Sequence, residues 1–567
     1  MSHPPADHWP PGLPRTLAAP HANVFHNLEA SAARHPHKPF TIYYDTPLGY
    51  GQALREAERI AAFLEQRCGV RPGDRVLLCL QNSPQWALAF YGILRANAVV
   101  VPVNPMNRVE ELRHCVNDSG ARAAIAAQDL LPQLRPLLAD GASADGGTGL
   151  RHVLVATYSD HLREPTELRV PDFVRAPREP LGDHPALTAW ADALAAGLTP
   201  GPLTTGPDGL CTMPYTSGTT GLPKGCMHTH RSVMATLVGG VRWFGTTPDA
   251  VCLAVLPFFH VTGLSGSLNG PLYAGATLVV LSRWDREAAA HCMQRYGVTV
   301  WQAIATMVID FLAQPDLERF DLSRLGCVRG GGAAMPDALA ARLKALTGRD
   351  YIEGYGMTEA MGATHINPPH RPKPQCLGLP VFEVDARVID PETGAERPVG
   401  ETGEIVLRGP QVMQGYWRQP QATAQAFIEI GGQRFLRTGD LGHVDEEGYF
   451  FMTDRLKRMI NASGYKVWPA EVEALMYHHP AIQEACVIAA RDARRGETVK
   501  ALVVLRLGQR GRVSEQDLID WARGRMAAYK SPRIVEFVAS LPRSGSGKVM
   551  WRELQEQQAA RDAAAPP

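Results

Sequence analysis

DRVLLCL (74–80), PQWALAFYGILRAN (84–97) and AVVVPVNP (98–105) run almost end to end. The first and last are short apolar runs of strand type, and the middle one carries its apolar residues at helical spacing. Strand, helix, strand is the unit of a parallel sheet, so this stretch predicts an α/β fold. The alternation covers residues 23–130 and resumes in LAVLPFF (253–259), ATLVVLS (276–282) and VTVWQAI (298–304). Residues 131–210, rich in Pro, Gly and Ala, read as long surface loops, and residues 1–22 as a loose arm. Near 377 the pattern changes. VDARVID (384–390), GEIVLRG (403–409) and GYFFMTD (448–454) read as short strands of a compact, barrel-like β piece. The helix candidate PAEVEALMYHH (469–479) and strands ACVIAA (485–490) and ALVVLRL (501–507) predict a small α+β domain, followed by a frayed tail at 555–567.

A chain of 567 residues is too long for one core, which implies at least two domains. Its 45% apolar and 20% charged residues are ordinary for a globular protein, and 57 basic against 57 acidic residues leave no electrostatic footprint for nucleic acid. The ten cysteines form no Cys-x-x-Cys pair, which argues against a zinc ribbon or a disulfide scaffold and fits a reducing cytoplasm. The N-terminus has no apolar signal core, and the stretch Trp86–Val103, broken by Arg95, falls short of a membrane span. Peripheral association with a membrane stays open, as does the oligomeric state.

Function is most legible in YTSGTTGLPKG (215–225). Thr216, Ser217, Thr219 and Thr220 supply hydroxyl donors, Gly218, Gly221 and Gly225 let backbone N–H groups approach a ligand, and Lys224 adds a mobile positive charge. Such a loop can wrap a polyphosphate. It is not the NTPase loop, because five residues beyond Gly218 stands Pro223 and no Gly-Lys-Ser/Thr follows.

This segment resembles the phosphate loop of the adenylate-forming superfamily, which includes acyl-CoA synthetases, firefly luciferase and nonribosomal-peptide adenylation domains. The resemblance extends over nearly the whole chain and is strongest to fatty-acyl-CoA synthetases. It implies an N-terminal domain over 1–454 with its β subdomain at about 377–454, a small mobile C-terminal domain over 455–567, and a hinge near Lys457.

Other segments agree with it. In GYGMTE (354–359), the glycines allow close approach, Tyr355 offers a flat face, and Thr358 and Glu359 aim a hydroxyl and a carboxylate at one place. Read alone, this is also a strand-to-turn junction with a surface Glu. A carboxylate beside a triphosphate can hold Mg²⁺ through oxygen. In the family this segment, including Gly356 and Thr358, carries the adenine-stacking aromatic and the magnesium ligand. The run GGGAAM (330–335) lacks bulk, and the resemblance lays an adenine against Gly332, Ala333 and Ala334. Arg329, just before it, stands where relatives often have a small residue.

In RTGDLG (437–442), Asp440 is of the type that accepts from paired ribose hydroxyls, though Asp after Gly is commonly a turn residue. Its spacing to Arg455 matches the family, in which that Arg also meets the ribose. Lys548, in LPRSGSGKVMWREL (541–554), would be solvated surface on its own terms. The resemblance makes it the lysine that bridges the substrate carboxylate and the α-phosphate. His260, in LPFFHVTGL (256–264), reads as a core histidine or, by resemblance, as a residue lining the acyl pocket. His228 and His230 lack a third ligand and make no zinc site.

Together these parts imply that ATP and a carboxylic acid form acyl-AMP, with Lys548, Thr216, Glu359 and His260 in the chemistry, and that coenzyme A then takes the acyl group. Gly464, in SGYKVWPAEVE (463–473), would flank the pantetheine tunnel. Acetate-specific relatives carry Trp where this chain has Gly356, and TGLSGSLNG (262–270) is also small, so a medium- or long-chain fatty acid is expected ahead of an aryl or cyclic acid. Loading of a carrier protein is the alternative to CoA.

Overall fold

A computed structural model of the chain describes residues 8–564, apart from 140–148, 217–221, 333, 456–457, 459, 463–464, 468, 493–495, 528 and 545–547. It divides into two compact units, Pro4–Asp385 with Arg408–Ala426, and Ala386–Leu407 with Phe427–Pro567.

The first unit is built on two sheets. Arg75–Cys79 and Val99–Pro102 pair in parallel, as the strand-helix-strand reading predicts. They lie inside a seven-stranded sheet with Ala123–Ala127, His152–Ala156, Leu187–Ala189, Leu210–Thr212 and His228–Thr229. Two of these strands, His152–Ala156 and Leu187–Ala189, come from the region expected to be loops. They are only five and three residues long, and the Pro- and Gly-rich sequence around them hides so short a buried run.

The connecting helix Pro84–Arg95 starts cleanly, with Pro84 in its first turn and the Ser83 hydroxyl accepting from the Trp86 N–H. It is apolar on every side, and residues 84–94 are all buried. Trp86 stacks on Phe90 at 5.6 Å and meets the edge of Phe258 at 5.5 Å, so one core joins this helix to residues of the second sheet. Gly92 is needed where Tyr50–Gln66 crosses, since a Cβ there would lie 2.8 Å from Ile60 Cγ2.

The second sheet has nine strands, in the order Leu379–Pro380, Gly362–Ile366, Tyr351–Met357, Cys327–Gly331, Val300–Gln302, Val251–Ala254, Thr277–Val280, Pro39–Tyr43 and Thr46–Gly49. Its middle is parallel and its edges are antiparallel. In such sheets ligands gather beyond the carboxyl ends of the strands. GGGAAM and the Thr358–Glu359 turn follow two such ends.

The second unit contains most of a five-stranded sheet, in which Gln433–Val444 pairs antiparallel with Gly403–Arg408, Phe427–Ile430 and Phe450–Arg455. Beyond it comes the expected α+β domain. Its five-stranded sheet is built around the antiparallel pair Ile482–Asp492 and Gly496–Leu505. Val487, Val499 and Val503 on one face pack with Val472, Met476 and Leu518 from the helices Pro469–Met476 and Glu515–Arg523. Cys486, Ile488 and Leu502 on the other face meet Trp551 and Leu554 of Trp551–Ala564.

That last helix corrects the expectation of a frayed tail. Few of its residues are apolar, but Gln555 exchanges hydrogen bonds with the Ala489 backbone, Asp562 accepts from the Arg491 N–H at 2.7 Å, and Gln558 accepts from Lys500 Nζ at 2.7 Å. Polar docking of this kind leaves no hydrophobic periodicity to read.

Candidate active site

The two flanks of the candidate phosphate loop, Tyr215–Thr216 and Lys224–Gly225, are paired and heavily braced. Tyr215 and Gly225 face each other across it, the Thr216 N–H donates to the Lys224 carbonyl at 2.9 Å, and the Lys224 N–H returns to Thr216 Oγ1 at 3.2 Å. On the outer side the Trp417 N–H donates to the Gly225 carbonyl at 2.8 Å, and the Tyr215 hydroxyl donates to Asp118 at 2.6 Å. Thr216 and Lys224 are therefore fixed by backbone. Ser217, Gly218, Thr219, Thr220 and Gly221 lie outside the described residues.

Beside the stem stands a residue that the sequence reading did not single out. Tyr416, from QVMQGYWRQP (411–420), donates its hydroxyl to Glu359 Oε1 at 2.9 Å, while Lys224 Nζ sits 4.7 Å from the centre of its ring. One side chain thus touches both the lysine of the loop and the candidate metal ligand. Burial and the Glu359 carboxylate push the Tyr416 phenol well above its ordinary pKa, so it remains a donor. Glu359 is a hard oxygen ligand, and among the described residues no group of three or more His, Cys, Asp or Glu could hold a metal. A single carboxylate shared with substrate phosphates is an arrangement that suits Mg²⁺, so the residues fit that ion.

His228 donates from Nε2 to the Thr358 carbonyl at 2.8 Å, beneath the same turn, and burial lowers its pKa to about 4. His230 instead accepts the Val24 N–H at 3.1 Å, which separates the two histidines.

The strands next to this turn have no room for side chains. A Cβ on Gly330, Gly331 or Gly356 would lie 1.7 to 2.0 Å from a carbonyl oxygen of the neighbouring strand. For Gly356 that oxygen belongs to Gly362, at a bulge after Tyr355. The Trp of acetate-type relatives could not be introduced here without moving a strand. Gly332 has φ +87°, and Gly332 and Ala334 are exposed as a surface for a flat ring would be, while Ala333 lies outside the described residues. The turn is anchored where the Met335 N–H donates to Glu353 at 2.7 Å, and burial raises that carboxyl to a pKa of about 7. Tyr355 is half-buried, its ring 5.7 Å from that of His365.

His260 caps the short helix Val261–Gly263, its Nδ1 accepting from the Thr262 N–H at 3.3 Å. The next six residues, Leu264–Asn269, form a π-helical turn, a geometry frequent at functional sites. Facing it is the helix His230–Phe244, on which Thr236, Gly240 and Phe244 recur at four-residue spacing and are partly exposed although their neighbours are mostly buried. A Cβ on Gly240 would meet nothing within 4 Å. This strip runs from Thr236, close to Gly362 and Ser265, to Phe244, which lies under Arg329. Small residues at i and i+4 in an apolar helix were the available sequence signal for it.

In the second unit, Asp440 and Arg455 stand directly opposite each other on paired strands, which accounts for their spacing. Asp440 is buried, its N–H donating to Thr438 Oγ1 at 3.0 Å, after Gly439 with φ +69°. Lys548 is exposed, and its carbonyl accepts from the Ser544 N–H at 2.8 Å. Gly464 and Lys457 lie outside the described residues.

The braced stem at Tyr215–Thr216 and Lys224–Gly225, the Glu359 turn and the crowded glycines of the strands beside it form the frame of the candidate site. The sequence matches the AMP-binding enzyme model over residues 28–417 and the model of the AMP-binding enzyme C-terminal domain over 471–548, and the chain belongs to that family. It is 33% identical to a long-chain-fatty-acid–CoA ligase of Bacillus subtilis, with 97% of each chain covered. It is 34% identical to a feruloyl-CoA synthase of Amycolatopsis, covering 92% of this chain and 96% of that one. The crystal structure of the anthranilate CoA ligase AuaEII in complex with anthranoyl-AMP superposes with TM-score 0.81 at 28% identity, covering 97% of this chain and 99% of that one. The chain is an ATP-dependent acyl-CoA ligase that works through an acyl-AMP, with ATP, a small carboxylic acid and CoA as substrates. No described helix is long and apolar enough to cross a membrane.

Proposed function

We propose that the acid is a medium- or long-chain fatty acid. The observation that carries this is the strip Thr236–Gly240–Phe244, which starts beside Gly362, runs for two helical turns and has open space at Gly240. The long-chain acid named for the Bacillus subtilis relative supports it. An aryl acid, as in the feruloyl-CoA synthase, is the second reading.

In the first step a carboxylate oxygen attacks the α-phosphorus of ATP and pyrophosphate leaves. Two anions must meet, so the protein contributes positioning and charge neutralisation. Thr216 and Lys224, with Ser217, Gly218, Thr219, Thr220 and Gly221, hold the departing phosphates. Tyr355 and the backbone of Gly332, Ala333 and Ala334 hold the adenine, Asp440 and Arg455 the ribose. Lys548 supplies the ammonium that neutralises the reacting oxygens. Glu359 would hold Mg²⁺, which when bound neutralises phosphate charge. In the second step the CoA sulfur attacks the acyl carbonyl and AMP leaves, with Gly464 lining the approach and His260 lining the acyl side. We place the functional boundary at 454/455 with the hinge near Lys457, and the protein in the cytoplasm, in keeping with its free thiols.

ATP–pyrophosphate exchange across a panel of fatty and aryl acids, followed by addition of CoA, tests the reading. Exchange is expected to be strongest with acids of eight carbons or more, with thioester forming only after CoA is added. Exchange confined to aryl acids would contradict the fatty-acid assignment.

A further inference from the structure

Arg329 has no place in the scheme above, and its surroundings are unusual for a charged residue. It lies in the strand Cys327–Gly331, is only 7% exposed, and stacks its guanidinium on the Phe244 ring at 4.1 Å. One terminal nitrogen makes a long contact of 3.5 Å to the Gly266 carbonyl of the π-helical turn. The other, Nη1, is buried with no hydrogen-bond partner. Among the described residues no carboxylate forms an ion pair with it.

Its neighbour across the parallel sheet, in register, is Gln302, whose Nε2 donates to the Thr262 carbonyl at 3.4 Å and whose Oε1 is likewise buried without a partner. Gly266 is the residue that makes space for this pair, because a Cβ there would lie 2.1 Å from Gln302 Oε1. Two strands and the turn above them therefore converge on one polar spot at the Phe244 end of the strip.

A desolvated guanidinium without a counter-charge is costly for a folded chain to keep, whereas the same group paired with an anion is strongly held. A purely alkyl tail reaching this point would leave the charge unpaired. A carboxylate reaching it would accept from Nη1 in a charge-assisted hydrogen bond, over the face of Phe244. The distance is suitable for a chain, since Thr236 to Phe244 spans eight residues of helix, roughly 12 Å.

We infer that Arg329 is a specificity residue that receives a second, distal carboxylate, so that the preferred acids are medium-chain dicarboxylic acids activated at one end. This rests on the reading of the strip as the acyl site and narrows it.

The test compares chain-matched pairs, octanoate with octanedioate, decanoate with decanedioate and dodecanoate with dodecanedioate, in pyrophosphate exchange by the wild-type enzyme and by Arg329→Met, whose side chain replaces the unbranched stem and loses the charged head. At its best chain length the wild-type enzyme is expected to favour the diacid by at least about tenfold in kcat/KM, and Arg329→Met to reverse that preference with the KM for ATP unchanged. The wild-type ratio needs no variant, so a poorly folded Arg329→Met leaves the inference falsifiable. Exchange with monoacids only, and a ratio unmoved by Arg329→Met, would overturn it and leave the fatty-acid reading standing. Exchange with neither series would overturn both.

Discussion

Two regions of the first unit, the Thr216–Glu359 cluster and the Thr236–Phe244 strip, are built on different rules. In the first, Thr216, Lys224, Tyr416 and Glu359 are tied to one another by backbone pairing, a 2.9 Å hydrogen bond and a cation–ring contact. A change to one of them disturbs the next. In the second, Gly240 borders open space and Arg329, although stacked on Phe244, keeps an unpartnered nitrogen, so polar capacity there is left over for an occupant of the strip. On the proposed reading, the chemistry common to every acid is held in a network, and the choice among acids falls to the side chains along the strip. Substitutions in the first region should affect all acids alike, and those in the second should discriminate.

The largest effect is expected at Lys548, in the second unit. Losing one preorganised charge typically costs ~10²–10³ in rate. Lys548→Ala is expected to slow acyl-AMP formation by that factor for every acid, while thiolysis of supplied acyl-AMP persists. Equal loss in both half-reactions under single-turnover conditions would remove the residue from its assigned step.

Tyr416→Phe is the next in size. It keeps the ring beside Lys224 and removes only the hydroxyl on Glu359, a hydrogen bond to a charged group that is worth about 1.5–3 kcal/mol. A loss of about tenfold or more in kcat/KM for ATP is expected, partly restored by raised Mg²⁺ and the same with every acid. A loss that varies from acid to acid would break the division between the two regions.

The same contrast explains what the sequence disclosed. Phosphate binding needs small and hydroxylic residues in an unbroken run, so YTSGTTGLPKG is visible as a string, and the α/β fold follows from strand-helix-strand runs such as 74–105. The spacing of Asp440 and Arg455 has a structural counterpart, because a hairpin converts it into a cross-strand pair. Tyr416 was not legible, since its partners Lys224 and Glu359 are far away in the chain and nothing local marks it. The strip draws on one helix, one π-helical turn and two strands, with one to three residues from each, and no run of sequence contains it. The same holds for the helix Trp551–Ala564, whose docking partners Ala489, Arg491 and Lys500 lie on other elements.

The measurement that tests this division most directly is the acid-length profile of Gly240→Phe, read together with the KM for ATP. A Cβ at Gly240 meets no atom within 4 Å, and Phe is a somewhat better helix former than Gly, so the variant is expected to fold. Its ring should fill the strip. The predicted result is a fall of about tenfold or more in kcat/KM for the longest acids, little change for the shortest, and an unchanged KM for ATP. A uniform fall across all acids, or a KM for ATP that rises with the loss, would contradict the separation of the two regions.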